Sequence, residues 1–360
     1  MARVYNFSAG PSVLPLPVLQ KAQADLVEYK DSGQSVMEMS HRSKNFEAII
    51  ADTEARLRRV LAIPANYKVA FIQGGATLQF AMVPLNLMGT GQADYWVTGN
   101  FSGLAAKEAE KFGKVNIVAS SAEANFTYIP NPADVPESPD ASYVHICQNN
   151  TIFGTRFTQL PKTKAPLVAD LSSCILSEPI DVSQYGVIYF GVQKNVAPAG
   201  MAVAIIREDL LGNAPANTPA LLNYKTIVDA DSMYNTPPTW CIYMMGLTLQ
   251  WIEEEIGGLA NMQKLNQEKA AVLYDYLDSQ SFYKAPVQKE FRSLMNVTFT
   301  APTKELDAAF CEGAAKEGLV NIKGHRLVGG MRASIYNAMP KAGVTALVAY
   351  MQKFAAQNGG

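Results

Sequence analysis

The stretch Val187-Ile-Tyr-Phe-Gly-Val-Gln-Lys-Asn-Val-Ala-Pro-Ala-Gly200, followed by Met201-Ala-Val-Ala-Ile-Ile206, decides how this chain is read. One apolar run, Val187 to Phe190, stops at Gly191, and a second begins at Met201. Both have the length and side-chain character of buried strands. Between them, ahead of the Pro198–Gly200 turn, lies a single cation, Lys194. An ammonium group is costly to take out of water, so burial lowers its pKa and leaves a nucleophilic amine, the group a Schiff base needs. Taken alone, Lys194 fits a solvated turn, where most lysines lie, just as well.

Upstream, Leu167-Val-Ala-Asp170 reads as a buried strand ending in a carboxylate, with Ser172-Ser173 just beyond. One short segment thus offers an acid at a strand end and an amine after the next strand. Pyridoxal phosphate (PLP) uses both: a lysine holds its aldehyde, and an acid keeps its pyridine nitrogen protonated. Read singly, Asp170 also serves as a helix cap. Ala169-Asp-Leu-Ser-Ser173, Pro179-Ile-Asp-Val182, Tyr185-Gly-Val-Ile-Tyr189, Gln193-Lys-Asn195 and Arg207-Glu-Asp-Leu-Leu-Gly212 closely resemble the phosphoserine aminotransferase family, a class-V group. The resemblance runs from Asn6-Phe-Ser-Ala-Gly-Pro11 to Tyr336-Asn-Ala-Met-Pro340, nearly the whole chain.

The resemblance implies an α/β fold of the aspartate-aminotransferase type, PLP fold type I. A large domain with a mostly parallel, seven-stranded-type sheet would cover residues 16–258, and a smaller α+β domain residues 259–360. Residues 1–15 would form an arm associated with the small domain. It implies PLP carried on Lys194, with Asp170 paired to the pyridinium nitrogen. Ala76 and Thr77 would hold the cofactor phosphate, helped by Gln193, and Thr151 would bond near the ring's 3-oxygen. Phe101 would stack on the ring, where the family commonly has tryptophan. Asn235 and Thr236 would reach the phosphate from a neighbouring subunit, making a homodimer with shared sites.

For substrate, the resemblance implies Arg332 on the α-carboxylate. His41, Arg42, His325 and Arg326 would receive a phosphate or a side-chain carboxylate. The implied reaction moves the amino group of L-glutamate to 3-phosphohydroxypyruvate, giving O-phospho-L-serine and 2-oxoglutarate in serine biosynthesis. The family also runs a related step in the vitamin B6 route. Besides Phe101, two departures stand out: Ala76 where a third glycine is common, and Asn150 where a glutamate often precedes the threonine.

The rest of the chain fits an enzyme of this kind. At 360 residues it is longer than one core usually serves, so two domains are expected. With 48% apolar and 17% charged residues and a net charge of -2, it is globular and offers no field for nucleic acid or an anionic membrane. Any anion must be captured by local cations. Two of its three histidines directly precede arginine, His41-Arg42 and His325-Arg326, and Arg332 follows Gly329-Gly330. Arginine forks match phosphate and carboxylate oxygens, though most arginines are solvated surface charge. Four scattered cysteines make no C-x-x-C pair, which argues against zinc and disulfides and fits a reducing compartment. No signal core or bilayer-long apolar run is seen, so a cytoplasmic protein is expected.

In chain order, Pro15 and Pro17 open a helix expected to reach about Lys30, and a second helix ends near Ala62. Val69 to Ile72 reads as a strand, Gln73-Gly-Gly-Ala-Thr77 as a turn and the segment to Leu87 as a helix. That order points backbone N–H groups at a phosphate, although Gly-Gly also makes a plain strand-to-helix turn. A nucleotide-binding protein could use it too, but the G-x-G-x-x-G spacing is absent and Lys194 would be left over. Strands follow at Tyr95–Thr98, Val115–Val118 and Tyr143–Cys147. The Gly212–Pro238 stretch reads as one long loop, and Thr239 to Ile256 as a helix apolar almost all round, stopped by Gly257-Gly258. Beyond it come a helix to about Asp278, strands at Asn296–Thr300 and Met331–Ile335, and amphipathic helices at Leu306–Lys316 and Val344–Phe354.

Overall fold

The computed structural model describes residues 3–360. A short strand, β1 (Tyr5–Asn6), is followed by α1 (Leu16–Ala24) and α2 (Lys44–Val60). The central sheet is then laid down by β2 (Tyr67–Gln73), β3 (Gln92–Val97), β4 (Lys114–Ser120), β5 (Val144–Cys147), β6 (Leu167–Asp170), β7 (Val187–Gly191) and β8 (Met201–Arg207). Helices α3 (Ala76–Leu87) and α4 (Asn100–Ala109) sit between its early strands. The spatial order is β2-β8-β7-β6-β5-β3-β4, and only β8 runs against its neighbours. Every residue of β5, β6 and β7 is buried, because helices cover both faces. That is why these strands read as unbroken apolar runs rather than alternating ones.

The two faces carry separate cores. One packs Ile188, Phe190 and Ile205 with α2 and with α6 (Thr239–Trp251), which follows α5 (Tyr224–Asp229) in the chain. The other packs Val168, Tyr189 and Ala204 with Phe80 and Val83 of α3 and with alanines of α4. Helix α6 runs on through a π-helical turn, Ile252–Ile256, and ends at Gly257 in the left-handed region, φ 79°. Helix α7 (Leu259–Ser279) starts two residues later and spans two cores. Its Leu259 and Met262 pack on the sheet; its Ala270, Leu273 and Leu277 pack in a third cluster. That cluster is built by the antiparallel pair β9 (Asn296–Phe299) and β11 (Met331–Ser334), with α8 (Lys304–Lys316), β10 (Leu319–Val320) and α9 (Lys341–Gln357). The start of the chain joins it: β1 pairs in parallel with β10, and Phe7 is fully buried there.

Two features differ from the sequence reading. Helix α1 ends at Ala24, not near Lys30. Tyr29 packs edge-on against Tyr243, whose hydroxyl donates to buried Asp25 at 2.5 Å, and Lys30, Asp31 and Gly33 take positive φ. Within the stretch read as one loop lies α5, six residues long and capped by the Asn223 side chain on the Lys225 N–H at 2.9 Å. A helix this short gives no periodic signal.

Candidate functional site

The carboxyl ends of β5, β6 and β7 open on a cavity of about 250 Å³ that the N-terminal ends of α3 and α4 also face. Lys194 sits at its floor. After β7 the backbone turns tightly, the Val196 and Ala197 N–H groups both returning to the Val192 carbonyl, and this turn points the side chain inward. Lys194 keeps 8% of its surface exposed. Its Nζ donates to Thr151 Oγ1 at 2.7 Å and lies 5.4 Å from the centroid of the Phe101 ring. Burial depresses its pKa; the nearby Asp170 charge opposes that in part.

Asp170 is the other ionisable group on the floor, 6% exposed. Its Oδ1 accepts from the Ser172 N–H at 2.8 Å. Burial raises its pKa, while Lys194 and Ser172 pull it back down. Its cross-strand neighbours are Cys147 and Tyr189, and burial pushes the pKa of both well up, so they stay protonated. Asp170 therefore has no competing anion beside it.

Above the floor, α3 follows Gly75, which offers it no side-chain cap. Leu78 N–H returns to the Gly75 carbonyl, but among the described residues the N–H groups of Gly75, Ala76 and Thr77 meet no acceptor. Open N–H groups at a helix start, facing a cavity, suit an anion. Arg332 enters from β11. Its Nη1 donates to the Thr151 carbonyl at 3.3 Å, and its buried Nε has no partner among the described residues. Gln193 and His325 complete the wall, and the His325 pKa is lowered by burial and by the charges of Arg332 and Arg326.

The structure thus gathers Ala76, Thr77, Phe101, Thr151, Asp170, Gln193, Lys194, His325 and Arg332 around one cavity. It does not bring the other expected residues there. Arg326 lies behind the His325–Gly330 turn, on a separate hollow with Lys304 and Lys323. His41, Arg42, Asn235 and Thr236 form their own group: His41 Nδ1 is 3.3 Å from Thr236 Oγ1, and Arg42 Nε is 3.4 Å from His41 Nε2. The Gln73 side chain donates to the Thr236 carbonyl, and Asn235 lines a smaller hollow of about 180 Å³. Sequence reading also misses the first residues as part of the wall. Ala9 and Gly10 line the cavity, the Ser12 hydroxyl donates to the Lys194 carbonyl, and a Cβ on Gly10 (φ +144°) would press the Lys194 Cγ at 3.3 Å. The available signal is the Gly10-Pro11 turn, which marks a close backbone approach without saying to what.

Comparison with known proteins bears on the same residues. Positions 4–347 match the family profile of class-V aminotransferases. The chain is 52% identical to a phosphoserine aminotransferase of Desulfatibacillum aliphaticivorans, over 99% of each protein. Among solved structures, the phosphoserine aminotransferase of Bacillus circulans subsp. alkalophilus superposes with a TM-score of 0.97 at 45% identity, covering 99% of both chains. The PLP-bound phosphoserine aminotransferase of Trichomonas vaginalis superposes with a TM-score of 0.93 at 40% identity, covering 97% of this chain and 100% of that one.

Proposed function

The chain belongs to the class-V aminotransferases, a PLP-dependent family, and from that premise we propose that it moves the amino group of L-glutamate to 3-phosphohydroxypyruvate, giving O-phospho-L-serine and 2-oxoglutarate. The observation that carries this reading is the pairing of a buried amine, Lys194, with a buried acid, Asp170, beneath the uncapped N-terminus of α3. These residues fit PLP: an acid without a competing anion for the ring nitrogen, an amine for the aldehyde, and open N–H groups for the phosphate.

When bound, PLP supplies a protonated aromatic ring that draws electrons from the substrate Cα. Asp170 holds the proton on the ring nitrogen, and its burial makes that ion pair stronger than it would be in water. Lys194 Nζ would hold the cofactor aldehyde, and as a free amine it would take the proton from the substrate Cα. Burial favours the neutral amine that this step requires. Phe101, beside Lys194 Nζ, would cover one face of the ring, and Thr151 Oγ1 orients Nζ. Ala76, Thr77 and Gln193 would receive the cofactor phosphate. Arg332, with its Nε unpaired, receives the substrate α-carboxylate.

The remaining His and Arg side chains fall into two groups. His325 and Arg326 lie on the small-domain side. His41, Arg42, Asn235 and Thr236 lie outside the cavity wall and serve, on this reading, the site of a second copy in a homodimer. The divisions 1–15, 16–258 and 259–360 belong to the same proposal, supported by the separate clusters of buried residues. So does a cytoplasmic location; no described helix is long and apolar enough to cross a membrane.

The test is a coupled assay with phosphohydroxypyruvate and hydroxypyruvate as acceptors. Each charge-assisted bond to a phosphate is worth about 1.5–3 kcal/mol, so kcat/KM should favour the phosphorylated acceptor by on the order of 10²-fold. Equal values would sink the phosphate assignment.

A further inference from the structure

Between β5 and β6, residues Asn150–Thr155 close a tight loop whose second residue, Thr151, touches both Lys194 and Arg332. Three bonds draw its ends together. Asn150 N–H donates to the Thr155 carbonyl at 2.7 Å, Gly154 N–H to the Asn150 carbonyl at 2.8 Å, and Asn150 Nδ2 to Thr155 Oγ1 at 2.8 Å. Asn150 is 3% exposed and Thr155 not at all. The other end of the Asn150 amide lies against Gly99, the residue that starts α4 and carries Phe101 in its first turn; a Cβ on Gly99 would collide with Asn150 Oδ1. On its far side the loop is anchored to β9 and its approach: Thr298 Oγ1 donates to the Phe153 carbonyl at 3.1 Å, and Ser293 N–H to the Gly154 carbonyl at 2.8 Å.

We propose that Asn150 is a positioning residue for the catalytic amine: its clasp with Thr155 fixes the Thr151 hydroxyl against Lys194 Nζ and seats the turn that carries Phe101. The Nδ2 end makes the bond to Thr155, and the Oδ1 end packs against Gly99. A carboxylate at 150 would add a buried anion to this wall, and an apolar residue would leave the Thr155 hydroxyl unpaired in the interior. An amide closes the loop with neither cost. The clasp acts through Thr151, so Asn150 need touch neither cofactor nor substrate.

Thr155→Val is isosteric and breaks the side-chain bond at a residue outside the cavity lining; Thr155→Ser restores the hydroxyl. Asn150→Ser breaks the same bond from the other end. The first readout uses the apoprotein: acylation of Lys194 by acetic anhydride as a function of pH, mapped by mass spectrometry, gives the amine's titration midpoint. Thr151 Oγ1 accepts from the charged amine, so misplacing it leaves desolvation less opposed, and the midpoint should fall by about 0.5–1 pH unit in Thr155→Val and Asn150→Ser. Thr155→Ser should return it to the wild-type value. The second readout is the loaded enzyme, where kcat should fall roughly 10-fold in Thr155→Val and recover in Thr155→Ser. A wild-type midpoint in either folded disrupting variant overturns the proposal, whatever its melting temperature. The kinetic readout rests on the proposed function; the amine titration does not, so failure of one can be told from failure of the other.

Discussion

Lys194 keeps 8% of its surface and bonds to one hydroxyl inside the protein, whereas Arg42 is exposed and leans on His41 across 3.4 Å. The first group is finished within one chain. Strand ends, a helix start and the Asn150–Thr155 loop already surround the amine, and burial has shifted its titration. The second group has cations, a hydroxyl and an amide in one place but no wall to exclude water. An anion held by exposed cations gains little, because solvent and salt screen it. The same groups become strong binders only when another surface desolvates them. The contrast separates residues whose chemistry is set by folding from residues that, on the homodimer proposal, wait for assembly.

The buried half should break most sharply. On the proposed function, Lys194→Ala removes the cofactor's attachment and the base together, and kcat should fall by on the order of 10⁴-fold. Asp170→Asn keeps the shape but loses the charge at the ring nitrogen, and should cost about 10²-fold. Steady-state kinetics measures both, and near-wild-type turnover in Lys194→Ala would remove the distinction drawn here.

A smaller effect reports on burial itself. His145 lies fully buried on the same face of the sheet, stacked on Tyr95 at 4.8 Å, with Nε2 2.8 Å from the Tyr189 hydroxyl and Nδ1 without a partner among the described residues. Burial lowers its pKa from 6.5 to about 3. The folded protein keeps it neutral where the unfolded chain takes up a proton. Its contribution to stability is therefore whole above pH 6.5 and is lost as pH falls toward 3, at up to about 1.4 kcal/mol per unit. Urea unfolding at pH 7 and pH 5 should show wild type losing roughly 2 kcal/mol more than His145→Asn. Equal losses would mean that the face beneath the cavity is wetter than its packing indicates.

Much of this was legible in the residues. The unbroken runs of β6, β7 and β8 announced a sheet buried on both faces, and the acid and amine at their ends announced the cavity. Residues placed by local geometry could be read onto the cavity: Asp170 and Lys194 at strand ends, Ala76 and Thr77 at a helix start. Residues that act by tertiary approach could not. Gly10 reaches Lys194 across more than a hundred and eighty positions, and no pattern encodes such a contact. The two His-Arg pairs look alike in sequence, yet His325 faces the cavity and His41 does not, because one follows a small-domain strand and the other precedes α2. Helix α5 was hidden by its length, and the early stop of α1 by the tertiary contact between Tyr29 and Tyr243.

Mixing two inactive variants tests the division most directly. Lys194→Ala spoils the site of its own chain, and Arg42→Ala is expected to spoil the site of its neighbour. After co-refolding at equal amounts, half the dimers are mixed, and each mixed dimer has one site with both residues intact. Activity should return to about a quarter of wild type, and dilution below the dimer's dissociation constant should abolish it. No recovery, with mixed dimers demonstrated, would mean that Arg42 serves its own chain's cavity and that the exposed cluster completes no neighbouring site.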